Sequence, residues 1–508
     1  MIEKAKSIAL VVLVGLSLIQ SYFLMYSPPT LGATVSSDQD YVNTEPMGTE
    51  LSVENVVFPD RLVLHFGGDE HTVLYPGTSF YDMILKERIQ GREFKDFRRT
   101  SADLLNWDAI RQNAIGVELR YDVGVPVELL QKLLKLKGDT LFFGDTVDRI
   151  WIFKMQNTEQ VRTFFFSADG QAVYESVQAD LTVRDVQDYV NFGKYQTRYR
   201  ITDDGLYVPV KPIRSVQVKY AYETFAPELM RRNLFFDPGT TRAVEGRNGS
   251  QIYTDGKRGL QVQQGGTWIS YTDPAAPQSG QNVLSDNFYA AVEFVNQHGG
   301  WDGSYRFSEL ANGADGTVVR FQQYMESYPV LASSAAPYGY LQLSLQQGAV
   351  TEYNRSLITL SDKADERATR WLPGGDELAA ALDAYDKRAE VQSLYPAFQA
   401  VLQEGRKIAF VPVWAVRLKD GTQQMLMEAY PAGYTPPETE NTQPDDAGQD
   451  SDGEDGEDGG DAAGETGGET ADAANAPAET PGATDSPEGV PGAAVDPGEA
   501  EVSLHGLG

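Results

Sequence analysis

The chain reads as an α+β protein of mixed antiparallel sheets and helices, with a single N-terminal transmembrane helix and a disordered acidic C-terminal tail. Three observations predict this. A charge-free apolar run, Ser7 to Tyr26, stands near the start; short alternating strands joined by glycine turns interleave with amphipathic helices over residues 49–433; and beyond residue 434 there is almost nothing apolar to bury. With 508 residues, 41% of them hydrophobic, the chain has apolar side chain for several cores.

The run SIALVVLVGLSLIQSYFLMY, residues 7–26, would extend about 30 Å as a helix, the thickness of a bilayer's hydrocarbon core. Lys4 and Lys6 precede it and no Lys or Arg follows until Arg61. The positive-inside bias therefore puts residues 1–6 in the cytoplasm and the bulk of a single-pass protein outside the cell membrane. A cleavable leader is the competing reading, since Ile8 to Ile19 has signal-peptide length and Thr30-Leu31-Gly32 offers a weak cleavage site. Apolar and aromatic residues resume after Ser21, and Tyr22 and Tyr26 suit an interface, which favours the retained anchor.

Residues 27–48 hold Pro28-Pro29 and then small polar residues, the composition of an exposed stalk. An N-terminal α+β domain is expected over 49–212. Its predicted helices are Thr78 to Ile89, Pro126 to Lys137 with Leu129, Leu130, Leu133 and Leu134 on one face, and Asp185 to Phe192. Its predicted strands are Ile150 to Met155, Thr163 to Phe166 and, after the Asp169-Gly170 turn, Ala172 to Tyr174.

A central β-rich domain is expected over 213–300: a strand at Ser215 to Tyr222, a helix opened by Pro227, and strands Ser250 to Thr254, Gly259 to Gln263 and Thr267 to Tyr271 between glycine turns. Its helix Ser285 to Gln297 has Ser285 as the expected cap and His298-Gly299-Gly300 as its stop. A C-terminal α+β domain, 301–433, is read as strands Thr317 to Tyr324, Tyr338 to Gln346 and Ala349 to Leu360. Helices Asp376 to Tyr385 and Tyr395 to Glu404 follow, then a hairpin of Lys407 to Leu418 with Gln423 to Tyr430 about Asp420-Gly421. The tail, 434–508, completes the chain.

The net charge of −31 resides largely in that tail. From Pro437 on there are twenty Asp or Glu and no Lys or Arg, leaving 53 acidic against 42 basic residues elsewhere. This balance argues against nucleic acid as a partner. The chain has no cysteine, which excludes lipid attachment through cysteine, disulfides and thiolate metal sites.

Catalytic signatures are missing: there is no G-x-S-x-G, P-loop or G-x-G-x-x-G. Four histidines exist, and His65-Phe-Gly-Gly-Asp69-Glu70-His71 is the one local cluster of possible metal ligands, at a spacing that matches no common site. An ordinary polar loop fits it better. His298, at a helix end where the dipole favours a cation, reads as structural. The candidate site instead lies in the membrane segment. Ser17, Gln20 and Ser21 fall at i, i+3 and i+4, and Ser17-x-x-x-Ser21 permits close helix contact. This face is suited to another transmembrane helix, of a partner or of a second copy; a lone anchor with Gln20 near the outer interface fits as well.

Several stretches together give the sequence a family likeness: the amino-terminal anchor, Asn233-Leu-Phe-Phe-Asp-Pro238, Tyr253-Thr-Asp-Gly-Lys-Arg258, Asn296-Gln-His-Gly-Gly-Trp301, Ser327-Tyr-Pro-Val330, Gly348-Ala-Val-Thr-Glu-Tyr353 and Val411-Pro-Val-Trp-Ala-Val416. In their order and spacing they resemble the YycH (WalH) family of membrane-anchored accessory regulators in low-GC Gram-positive bacteria, over Met1 to Tyr430. The resemblance implies a non-enzymatic role: modulation of a WalK-type sensor histidine kinase that controls cell-wall metabolism through WalR, in company with a YycI-like anchored protein. It implies about three extracytoplasmic α+β domains, hetero- or homo-oligomeric contacts, and no catalytic set, cofactor or metal. The acidic tail lies outside it. A rival reading is an anchored binding protein that captures a wall or secreted ligand on Trp268, Tyr271, Trp301 and Tyr340.

Overall fold

Strands Arg61–Gly67 and Ile115–Pro126 lie antiparallel at the middle of a ten-stranded sheet, with Leu62 opposite Leu119 and Leu64 opposite Val117. The computed structural model describes residue 13 and residues 46–437 except 139–143, 156–158, 247–249, 275–280, 314–315 and 334–335. From edge to edge the sheet runs Tyr207–Pro209, Arg198–Ile201, Glu70–Leu74, Arg61–Gly67, Ile115–Pro126, Thr146–Lys154, Val161–Ser167, Val173–Ala179, Glu93–Thr100 and Lys135–Leu136. Its last pairing is parallel and the others are antiparallel.

Because strand side chains alternate between faces, Leu62, Leu64, Val117, Leu119, Ile150 and Ile152 share one side and bury it against Ile84, Ile89, Leu130, Leu133, Val186 and Tyr189. Each such side chain contributes about 1.5–3 kcal/mol when fully buried. The helix read over Thr78 to Ile89 is an α-turn, Ser79–Asp82, continued as a π-helix, Met83–Ile89. The helix read over Pro126 to Lys137 is shorter, Val127–Leu133. It stops early because the next residues find sheet partners: Lys135 and Leu136 align with Glu93 and Phe94, and Lys137 N donates to Phe94 O at 2.9 Å. Helix Val183–Phe192 starts in a reciprocal cap between Thr182 and Asp185.

A second sheet of fifteen strands holds the remaining strands among the described residues. Its path is Arg242–Glu245, Gln251–Thr254, Gly259–Gln263, Trp268–Thr272, Ala349–Ser356, Tyr340–Gln346, Gly316–Met325, Tyr328–Leu331, Val391–Gln403, Lys407–Leu418, Ile213–Thr224 and Ile358–Leu360. Ser304–Gly313, Glu366–Leu372 and Gln423–Glu428 branch from it. Helix Leu284–Gln297 packs on this sheet through Phe288, Ala291, Val292 and Val295. Val283 is the residue before its first turn, so Ser285 lies inside the helix, buried, and not at the cap.

Two readings of the C-terminal part need correction. Tyr395 to Glu404 is no helix; it is most of the strand Val391–Gln403, paired along its length with Lys407–Leu418. Both faces of its centre are buried, so Tyr395, Pro396, Ala397 and Phe398 form an apolar run without alternation, a pattern that periodicity does not separate from a buried helix. Positive φ at Gly405 (76°) and Arg406 (55°) closes the hairpin. The single strand read over Ala349 to Leu360 is two, broken at Leu357, whose N donates to Thr267 O at 2.8 Å.

Residues 47–51 are held at the turn after helix Leu284–Gln297. Met47 N and Gly48 N donate to Gly299 O, Thr49 bridges Trp301, and the Asn296 side chain bonds both Leu51 N (3.0 Å) and Leu51 O (2.9 Å). Gly300 has φ 72°, and a Cβ there would come 2.8 Å from Gly48 O, so the close approach needs glycine.

Candidate functional site

Ser17, Gln20 and Ser21, the predicted partner face, lie outside the described residues. Among the described residues no helix is long and apolar enough to cross a membrane. Polar chemistry within the described residues concentrates on the second face of the ten-stranded sheet. Strand Ile115–Pro126 presents Glu118, Arg120 and Asp122 there at period two, and strand Arg61–Gly67 presents Arg61, Val63 and His65. Apolar packing separates two charged groups: Val63, Val73, Tyr75 and Tyr199 meet Tyr395, Ala397, Val413 and Ala415 of the second sheet.

The first group contains the histidine cluster. Gly67, Gly68 and Asp69 all take positive φ, and this tight turn sets His65 directly opposite His71. Both rings are fully buried, with His65 Nδ1 3.1 Å from His71 Nδ1. His65 Nε2 faces Glu118 Oε2 at 3.4 Å and His71 Nε2 faces Asp69 Oδ1 at 3.3 Å. Arg120 Nε (3.0 Å) and Arg149 Nη1 (3.5 Å) flank Glu118. Burial works against the Glu118 charge, but Arg120, His65 and Arg149 outweigh it and hold the carboxyl well below its ordinary range. The rings of Trp151 and Tyr207 wall the site.

Two neutral imidazoles carry two N–H groups for three contacts. With Glu118 ionised, the His65 proton belongs on Nε2, and His65 Nδ1 accepts from His71 Nδ1. His71 Nε2 is then bare beside Asp69. A further proton there would complete an unbroken line from Glu118 to Asp69. Burial opposes it, lowering His65 and bringing His71 down to about 4. The pair is therefore neutral at pH 7. Among the described residues no group of three or more His, Cys, Asp or Glu is placed to hold a metal. His298 lies apart, stacked on Phe294 at 3.9 Å with Nδ1 2.8 Å from Phe294 O; its pKa is lowered by burial, so it is a neutral cap and not the cation that the helix dipole suggested.

The second group lies where both sheets meet. Arg61 Nη1 pairs with Asp122 Oδ1 at 2.9 Å, Arg306 Nη2 with Asp60 Oδ2 at 2.8 Å, and Asp122 N donates to Asp60 Oδ2 at 2.5 Å. Arg417 completes the group, its Nη2 donating to Ser308 O at 2.8 Å. Burial raises the Asp60 carboxyl, whereas for Asp122 the pull of Arg61, Arg417 and Arg306 overcomes burial and lowers it.

Among the described residues, stretches that carry the family likeness build turns and core. Asn296 Oδ1 also accepts from Trp301 Nε1 (2.7 Å), Trp414 Nε1 donates to Pro373 O (2.7 Å), and Asp255 accepts from Lys257 N and Arg258 N in its turn. Trp268, Tyr271 and Trp301 are buried, and Tyr340 packs on Trp268, so these rings are not presented for ligand stacking.

Profiles described as YycH protein, N-terminal domain and YycH protein, C-terminal domain match residues 3–194 and 203–429. The chain belongs to the YycH family. A YycH relative, the two-component system WalR/WalK regulatory protein YycH of Bacillus subtilis (strain 168), is 21% identical over 437 residues, covering 82% of this chain and 94% of its own. The crystal structure of YycH from Bacillus subtilis aligns with a TM-score of 0.60 and 18% identity over 75% of this chain and 98% of that one. The mixed antiparallel sheets and helices are thus the YycH fold.

Proposed function

We propose that this chain is a non-enzymatic, membrane-anchored regulator of a WalK/WalR-type two-component system that controls cell-wall metabolism. Residues 1–6 lie in the cytoplasm, 7–26 span the membrane, and the folded body stands outside on the stalk 27–48. The observation that carries this reading is the pair of YycH matches over residues 3–194 and 203–429, beside a relative named as a WalR/WalK regulatory protein. Its partners are a WalK-type sensor kinase and a YycI-like anchored protein, met through the face of Ser17, Gln20 and Ser21 and through extracytoplasmic contacts. A bias of about 1–3 kcal/mol on the packing of a small helix bundle changes kinase activity severalfold.

Cross-linking in native membranes with mass spectrometry tests the reading. Recovery of a sensor kinase and a second small anchored protein is expected, and recovery of wall enzymes or transporters alone counts against it. Replacing Ser17, Gln20 and Ser21 together with Leu should abolish partner co-purification. Mature protein free in culture fluid, starting near Ala33, would end the anchored reading.

A further inference from the structure

The outermost strands of the first sheet, Arg198–Ile201 and Tyr207–Pro209, form a hairpin that is held from two directions. Leu206 and Val208 belong to a core of the second sheet, with Leu372, Leu378 and Trp414. Inward, the hairpin pairs with strand Glu70–Leu74 at two positions, His71 with Tyr199 and Thr72 with Arg198. One of those two positions is thus a member of the buried histidine pair. Tyr207 closes over that pair, its ring centred 5.6 Å from His71 and 6.5 Å from His65, and the Arg120 guanidinium lies 4.9 Å from the same ring.

A proton needs no cavity, and the pair lacks one, since its two neutral imidazoles carry two N–H groups for three contacts. The missing proton belongs on His71 Nε2, 3.3 Å from Asp69 Oδ1, and the Asp69 side chain is 58% exposed, which gives solvent a way in. A second added proton would set N–H against N–H across the 3.1 Å between the Nδ1 atoms, so the pair takes one. Inside the fold that one charge is poorly placed. From strand Ile115–Pro126 it faces Glu118 and Arg120, from Thr146–Lys154 Asp148 and Arg149, and from helix Trp107–Asn113 Arg111. Glu118 is already matched by Arg120 and Arg149, and burial raises Asp148 to about 6, so it gives up its charge as the pH falls. From the hairpin come Tyr207, which burial keeps neutral, and Arg198, 3.7 Å from Glu70. Of these surroundings the hairpin is the part at the sheet edge, and lifting it is the shortest way to hydrate an imidazolium at His71.

We propose that hairpin 198–209 is a proton-released latch: it is fastened to strand Glu70–Leu74 while the His65–His71 pair is neutral, and uptake of one proton by the pair frees it from that strand while Leu206 and Val208 stay packed on the second sheet. Release opens the apolar cluster that Tyr199 and Tyr207 share with Val63, Val73 and Tyr75, and so loosens the junction of the two sheets at this end.

Amide hydrogen exchange of the full chain in detergent micelles tests this at pH 7 and pH 5, with each rate divided by the intrinsic exchange rate at that pH. With His71 at about 4 when covered and 6.5 when hydrated, opening should rise by at most about twentyfold between these pH values. The rise is expected in residues 70–74 and 198–201, whose shared pairing is broken, and not in 391–418. The C2 hydrogen of the His71 imidazole, whose slow exchange reports its protonation, should titrate in the unaltered chain with the same midpoint as the hairpin. His71→Gln should hold the corrected exchange of 198–201 constant over this range. Thr72→Val, which removes the hydroxyl bonded to Thr197 O, should raise it at both pH values by the same factor. Protection at 198–201 that does not change with pH, loss of protection that spreads equally through 391–418, or a His71 midpoint apart from that of the hairpin overturns the proposal, and none of these three requires a variant to fold.

Discussion

Acidification should destabilise the folded body through the His65–His71 pair, and His71 sets the scale. Its value falls from 6.5 to about 4 on folding, so between those limits the unfolded chain binds more protons than the native one. Its contribution to stability is therefore complete above about pH 6.5, declines as pH falls, and is lost below about 4. At 1.36 kcal/mol per unit, linkage gives a loss of at most about 2 kcal/mol at pH 5; screening on the side open to Asp69 trims that figure. Asp148 works in the opposite direction, since burial raises its carboxyl to about 6 and the native state takes up its proton first. The raw pH profile sums these effects, and a variant must isolate one. Urea unfolding of the chain and of His71→Gln, followed by tryptophan fluorescence because Trp151 packs on His65, gives the difference in stability at each pH. That difference should shrink by about 1–2 kcal/mol from pH 7 to pH 5. A difference that stays flat would show that His71 does not titrate as its burial and the proton count require.

Glu118→Gln leaves Arg120 and Arg149 without their buried carboxylate and should cost about 3 kcal/mol or more in urea unfolding, with part restored when Arg120→Gln is added. Asn296→Ala removes acceptor and donor from Leu51 and an acceptor from Trp301; a loss of about 1–3 kcal/mol is expected, together with faster proteolysis in the segment 46–51. Unchanged cleavage there would contradict the role given to Asn296.

Much of this architecture is legible in local sequence. The strands around Asp255-Gly256 and the final hairpin about Asp420-Gly421 form where turn residues and alternation coincide, because both signals are short-range. Tyr395 to Glu404 is misread because burial on both faces erases the alternation that marks a strand. The polar groups were legible only in part. His65 and His71 are visible as a pair, since the five residues between them include two glycines that turn the chain back. Glu118, which completes their line, sits on a different strand, and the spacing Glu118-x-Arg120-x-Asp122 shows only that the three share a face. Arg306 pairs with Asp60, and Arg417 pulls on Asp122, from hundreds of residues away, and no local pattern encodes that meeting. The face of Ser17, Gln20 and Ser21 rests on helical spacing alone.

The clasp between Thr49 and Trp301 fixes where any pull on the chain before residue 46 arrives. Load passing along residue 46 reaches the fifteen-stranded sheet first, at the end of helix Leu284–Gln297, and bypasses the strands that follow it directly in sequence. The first sheet is thus slung beside the line of force and not strung along it, and it feels the pull only through its packing and ion pairing with its neighbour.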